Sequence, residues 1–313
     1  LKKPLLILTG PTAVGKTGLS IELAKQLNGS IISADSMQVY KYMNIGSAKI
    51  RREEMYGIPH YLIDVLEPQE EFHVARFQQM AKDAVKEIYK KGRLPILVGG
   101  TGFYIQAFLK DVDFTEDSGQ SPLRKELEKK AELEGNYILH QRLKDVDPVS
   151  AGGIHPNNVK RVIRALEYYY ETGTPISQHN ARQMEKESPY RFVYFVLNDE
   201  RSRLYDRINR RVDQMMEQGL LSEVSRLKEM GCSNQMVSMQ GLGYKELLAY
   251  LDGVYTLEEA VEIIKRDTRH FAKRQITWFK REKEVIWINK PEFGYDEDRI
   301  LDAILSIWKE KIS

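Results

Sequence analysis

The chain has a single cysteine, Cys232, among 313 residues. That excludes an internal disulfide framework and a zinc ribbon, and it suits a reducing compartment. No apolar run approaches membrane-spanning length, and the early "PLLILTG" is too short and wrongly followed to be a secretory signal. A cytoplasmic location and no membrane partner are therefore expected. Charge of one sign is not in excess: the formal net charge is +2 with 29% charged residues, so the overall balance does not argue for nucleic acid. Metal-ligand spacing is missing as well, because His60, His73, His140, His155, His179 and His270 are scattered along the chain. No internal repeat and no low-complexity tract occurs.

One local signal is strong. Gly10-Pro11-Thr12-Ala13-Val14-Gly15-Lys16-Thr17 satisfies G-x-x-x-x-G-K-[ST], between an apolar run at Leu5 to Thr9 and helically spaced Leu19, Leu23, Ala24 and Leu27. Glycines there let successive backbone N–H groups converge at a helix N-terminus, where the helix dipole favours an anion. Lys16 adds a positive charge, and the Thr17 hydroxyl is placed to ligate Mg2+ bridging phosphate oxygens. Proteins that hydrolyse nucleoside triphosphates usually end a later apolar strand on a carboxylate for the metal. Here "RLPILV" runs instead into "GGTGFY", and Asp64, after "HYLI", is the other acid in such a position. A kinase is thereby disfavoured and not excluded.

Buried-strand signals recur in "SIISAD", "HYLIDV", "LPILVGG", "YRFVYFVLN" and "EVIWIN", with a helical run at 74 to 91 between the second and third. Alternation of this kind predicts an α/β fold, a P-loop NTPase-like parallel sheet with helices on both faces. The texture turns polar at "DVDFTEDSGQSP" and then helical and charge-rich. The expected organisation is a core over 1–114, a helical insertion domain at 115–190, and the rest of the core with basic C-terminal helices at 191–313.

The strand "SIISA" should deliver Asp35 to the carboxyl edge of the sheet, where ligands bind in open α/β folds. A carboxylate there can accept a proton from a nucleophile, although turn forming is the commoner role of an Asp after a strand. Residues 265–283 hold Lys265, Arg266, Arg269, Lys273, Arg274, Lys280, Arg281 and Lys283 against Asp267 and Glu282. Helical spacing puts Arg266, Arg269 and Lys273 on one face and allows Ile264, Phe271 and Trp278 to turn to the core. Such a face is either a solvated helix surface or a phosphate-backbone contact. The tyrosines at 168–170 read as packing.

"GPTAVGKT", "SADSMQVY", "GGTGFY", "RVIRALE", "INRRVDQMMEQGL", "GLGYKE" and "RHFAKRQITWFKR", in this order, resemble the bacterial tRNA dimethylallyltransferase (tRNA isopentenyltransferase) family over nearly the whole chain. The resemblance implies that the loop holds the diphosphate of dimethylallyl diphosphate, so that phosphate is the leaving group and the prenyl chain is transferred. It implies as acceptor the exocyclic amine of adenosine-37, just 3′ of the anticodon of tRNA. Asp35, Thr101 and Arg211 are then the expected catalytic group, Arg211 being preferred to Arg210. By the same carry-over, tRNA contacts are expected from Asp35, Ser36, Met37, Gln38, Thr101, Arg124, Lys160, Arg161 and Arg164. The basic segment adds Arg266, Lys273 and Arg274. A monomer is expected. The rivals are the same chemistry on a free adenine nucleotide, a small-molecule kinase, and a non-catalytic P-loop protein that binds RNA.

Overall fold

The computed structural model describes residues 2–114 and 121–312, so part of the expected polar connection, 115–120, lies outside the described residues. The chain forms two compact units, Leu1–Leu109 with Pro189–Ser313, and Lys110–Ser188.

The first unit begins with β1 (Lys3–Thr9), α1 (Lys16–Gln26), β2 (Gly29–Ala34), β3 (His60–Tyr61), α2 (Val74–Lys90), β4 (Leu94–Gly99) and α3 (Gly102–Leu109). The described residues of the second unit form five helices: α4 (Pro122–Glu134), α5 (Asn136–Val146), α6 (Pro148–Gly153), α7 (Val159–Thr172) and α8 (Ile176–Glu185). Its core is built from Leu127, Leu139, Leu143, Val162 and Leu166. Returning to the first unit, the chain forms β5 (Tyr190–Asn198), α9 (Arg201–Glu217), α10 (Leu220–Glu229), α11 (Tyr244–Leu251), α12 (Leu257–Phe279), β6 (Val285–Asn289) and α13 (Glu297–Ile312).

All six strands are parallel, in the order β3-β2-β4-β1-β5-β6. Strand β1 is central and covered on both sides, which is why it reads as an unbroken apolar run. Its side chains alternate between two cores. Leu5 and Ile7 join Phe77, Val85 and Phe108 on one face, while Leu6 and Leu8 join Leu23, Ile208 and Ile304 on the other. The α/β architecture with helices on both faces is thus present.

One expected strand is much shorter than the sequence implies. Of "HYLIDV" only His60 and Tyr61 pair with β2. Leu62 and Asp64 take left-handed backbone conformations, with φ of 63° and 56°, which break the strand. Asp64 consequently leaves the sheet edge, and its carboxylate pairs with Lys49 at 2.5 Å.

Register explains where the functional loops meet. Thr9 of β1 lies opposite Gly99 of β4, and Gly99 lies opposite Ala34 of β2. The turns that follow these three strands, carrying Gly10, Asp35 and Thr101, therefore leave the sheet side by side at its carboxyl edge.

Candidate active site

Residues 10–17 curl between β1 and α1 in a conformation that depends on glycine at two points. Gly10 has φ of +143°, and a Cβ there would lie 2.5 Å from the Leu197 carbonyl oxygen of β5; Gly15 has φ of +102° and caps α1. Helix α1 starts at Lys16, so its first amides are free to face an anion. Lys16 is folded back on the loop: its Nζ donates to the Gly10 carbonyl at 2.9 Å and to that of Pro11 at 2.8 Å. Withdrawal from water, and then the neighbouring Arg211 charge, lower its pKa to about 7, while Asp35 acts in the opposite direction. The Thr17 hydroxyl has no protein hydrogen bond among the described residues.

Asp35 forms a turn and leaves one carboxylate oxygen unengaged among the described residues. Its Oδ1 accepts from the backbone N–H of Met37 at 2.8 Å and of Gln38 at 3.3 Å, so it forms the turn after β2. Its Oδ2 takes no hydrogen bond among the described residues. Thr101 is tied to the same strand, its N–H donating to the Ala34 carbonyl at 3.3 Å, and its hydroxyl is likewise unengaged among the described residues. A side chain at Gly99 would collide with the Ala34 backbone, so the two turns lie as close as main chains can.

Arg211 faces this edge from α9. It is partly buried, and desolvation, followed by the like charge of Arg207, pushes its pKa down; Asp35 opposes this. Arg210, its neighbour, is exposed. Lys16, Asp35 and Arg211 thus come together. A cleft of about 800 Å³ opens beside them, bordered by Gly15, Thr17, Asn44, Lys49, Arg211 and Gln214.

Several neighbours of the site escape sequence reading. Arg207, one turn before Arg211, and Lys290 flank the phosphate loop: a Cβ on Gly15 would lie 3.2 Å from Lys290 Nζ and 3.4 Å from Arg207 Nη2. Lys290 is buried, paired with Glu297, and its Nζ contacts the Val14 carbonyl at 3.4 Å. Gln275 of α12 bridges the loop and the Gly100 turn. Glu223 of α10 is buried and accepts from the N–H groups of Asn44, Ile45 and Gly46, at distances of 2.9 to 3.2 Å, and from the Tyr244 hydroxyl at 2.8 Å. The "GLGYKE" segment packs against the same region, since a Cβ on Gly241 would lie 2.5 Å from Met37 Cε and one on Gly46 would lie 2.6 Å from the Tyr244 ring. Helical spacing from Arg211 is a signal for Arg207. No local signal marks Gln275, Glu223 or Lys290.

The expected RNA contacts divide into exposed and engaged residues. On α12, Arg266, Lys273 and Arg274 are exposed, and Arg266 pairs with its neighbour Asp267 at 2.9 Å. Lys273, Arg274, His270 and Arg281 border a depression of about 470 Å³ that also touches Trp278. Arg269 does not share that outward surface: it is partly buried and donates to Asn209 Oδ1 of α9 at 2.6 Å. Phe271 and Trp278 are only partly buried; Ala272, Gln275 and Phe279 are the inward residues. In the second unit, Lys160 and Arg161 are exposed on the first turn of α7. Arg124 and Arg164 instead flank the buried Glu167, at 3.4 and 3.9 Å. Tyr168 is buried against His179, and Tyr170 is exposed. Among the tRNA candidates after β2, Ser36 and Met37 are partly exposed, while the Gln38 side chain accepts from Ser33 Oγ at 3.0 Å.

Comparison with known proteins gives these features a common setting. The family model described as IPP transferase matches residues 38–282. A tRNA dimethylallyltransferase of Lachnoclostridium phytofermentans is 60% identical over 309 residues, 99% of this chain and 98% of that protein. The crystal structure of a tRNA isopentenylpyrophosphate transferase from Bacillus halodurans matches with a TM-score of 0.74 at 46% identity, covering 99% of this chain and 98% of that one. A eukaryotic dimethylallyltransferase acting on tRNA matches with a TM-score of 0.78 at 32% identity, covering 92% of this chain and 74% of that one. With a family match over most of its length and a relative so similar from end to end, this chain belongs to the IPP transferase family.

Proposed function

We propose that this chain is a tRNA dimethylallyltransferase that moves the prenyl group of dimethylallyl diphosphate onto the exocyclic amine of adenosine-37. The observation that carries the mechanism is the meeting of Lys16, Arg211 and Asp35 at one sheet edge, two desolvated cations and one acid beside the phosphate loop. The new bond joins the allylic carbon to the adenine nitrogen, and the bond from that carbon to the diphosphate oxygen breaks. The amine proton passes to Asp35 Oδ2. Because the adenine amine lone pair is delocalised into the ring, removing its proton as the bond forms lowers the barrier. Lys16, Arg211 and the free amides of α1 stabilise the charge gathering on the departing diphosphate. The Thr101 hydroxyl lies on the turn beside Asp35, on the acceptor side.

Thr17 would help hold a Mg2+ ion, since its hydroxyl has no protein hydrogen bond among the described residues. Nor do three His, Cys, Asp or Glu residues gather as a protein cage among them. When bound, that ion neutralises charge on the leaving group. Each unit by itself offers exposed cations, on α12 and on the first turn of α7, that would contact tRNA through its phosphates. No helix among the described residues is long and apolar enough to cross a membrane. Incubation with labelled dimethylallyl diphosphate or labelled ATP, with bulk tRNA, with free adenosine monophosphate, or with neither, tests this reading. Label should pass from the prenyl donor to tRNA, and not to free adenosine monophosphate. Rapid tRNA-independent ATP turnover without prenyl transfer would overturn it in favour of a kinase.

A further inference from the structure

Helix α12 turns Ile264, Ala272 and Phe279 inward, and in the middle of this apolar stripe it buries a glutamine. Gln275 is 6% exposed, and both ends of its amide are engaged. Its Oε1 accepts from the Thr12 N–H at 2.8 Å, and its Nε2 donates to the Gly100 carbonyl at 2.9 Å. A buried amide is costly unless fully hydrogen-bonded, so a residue chosen for packing alone at this position would be apolar. The two partners belong to different turns. Thr12 lies in the phosphate loop, and Gly100 lies between β4 and Thr101. Gly100 is fitted to the amide, since a Cβ there would collide with Gln275 Nε2, closer than any other atom, with the Gly10 carbonyl oxygen at 3.4 Å.

We infer that Gln275 is a positioning residue that sets the spacing between the diphosphate loop and the Gly100–Thr101 turn, and so aligns the leaving group with the acceptor. It also decides which loop amides face the substrate, because the Thr12 N–H is consumed by the brace. The inference rests on the transferase reading. Holding reacting groups in line is worth a large part of a bimolecular barrier, and a displacement of about 1 Å can cost roughly 100-fold in rate. A brace between the two half-sites therefore acts on the chemical step more than on the binding of either substrate.

Single-turnover transfer at saturating donor and tRNA tests this with Gln275→Ala, the volume-keeping Gln275→Met, Gly100→Ala and the double variant Gln275→Ala/Gly100→Ala. Each single change should slow transfer by about 10- to 100-fold. Affinities for inorganic pyrophosphate and for tRNA, measured separately, should stay within roughly threefold, giving a loss in kcat with little change in KM. The double variant should be no slower than the slower single one, because removing the Gln275 side chain makes room for the new methyl group. Melting temperatures identify any variant that fails to fold, and Gln275→Met and Gly100→Ala carry the test if Gln275→Ala does. Unchanged rates in folded variants, losses confined to the two affinities, or losses that multiply in the double variant would each overturn the brace. Wild-type transfer in the same assay is the separate check on the transferase reading: its absence removes that reading, whereas normal wild-type transfer with unaffected variants removes only the role of Gln275.

Discussion

Two sets of cations in this protein use the same residue types under opposite conditions. At the sheet edge, Lys16 and Arg211 are desolvated, repel each other, and have pKa values pushed down. On the outer side of α12, Lys273 and Arg274 stand in water. Charges of the first kind act strongly over short distances on one small polyanion, because little solvent screens them. Charges of the second kind are screened, individually weak, and additive along a nucleic-acid backbone. On the proposed function, the comparison assigns the leaving group and the macromolecular substrate to separate electrostatic devices, so variants should separate chemistry from binding.

The largest expected effect tests the acid among the buried charges. Asp35→Asn keeps the turn-forming oxygen and deletes basicity, so single-turnover transfer should fall by roughly 100- to 10,000-fold with little change in pyrophosphate affinity. Near wild-type transfer would reduce Asp35 to its turn, and loss of tRNA binding would make it an adenine-holding residue. Next, Arg211→Gln should lower the transfer rate by about 100- to 1,000-fold, the scale of losing one preorganised charge-stabilising donor. Arg210→Gln, the exposed neighbour, should stay within about twofold by the same assay. Equal losses at 210 and 211 would erase the distinction between buried and exposed cations.

The surface set is tested by Arg266→Ala/Lys273→Ala/Arg274→Ala. Binding of tRNA should weaken, and the slope of log K against log salt should flatten by about one unit for each phosphate deprived of its cation. An unchanged slope in the folded triple variant would remove this face of α12 from the interface. The smallest effect concerns Lys16 and pH. Its lowered pKa of about 7 means that it is charged below that pH and neutral above it. A bound diphosphate favours the ammonium form, so pyrophosphate affinity should decline as pH rises above 7, by at most about tenfold per unit. Calorimetric titrations of wild type against Lys16→Met isolate this contribution, and parallel profiles for the two proteins would refute it.

What is local in this fold is legible in the sequence, and what is distant is not. The phosphate loop is eight contiguous residues between a strand and a helix, and the end of β2 delivers Asp35 by strand geometry alone. Choosing Arg211 over Arg210 rests on resemblance, and the two differ in the structure in that Arg211 is partly buried and Arg210 exposed. Spacing alone puts Arg269 on the basic face, whereas its partner, Asn209, lies 60 residues away on another helix and draws it inward. Likewise, the buried polar anchors Gln275 and Glu223 bond to main-chain groups 263 and 179 residues earlier, and no window of sequence contains both ends. "HYLIDV" has strand composition, but the left-handed Leu62 and Asp64 are set by tertiary context.

The ribosome makes the phosphate loop well before the residues it leans on: Leu197 beside Gly10, then Gln275, then Lys290. At about 5–20 residues per second, tens of seconds separate synthesis of the loop from synthesis of its last supports. An emerging chain thus carries the signature residues of a donor site long before it has the site. A product cut short ahead of α12 lacks the brace on Thr12 as well as the basic outer face of that helix. On the proposed function, activity therefore waits for these late segments and not for the most recognisable motif.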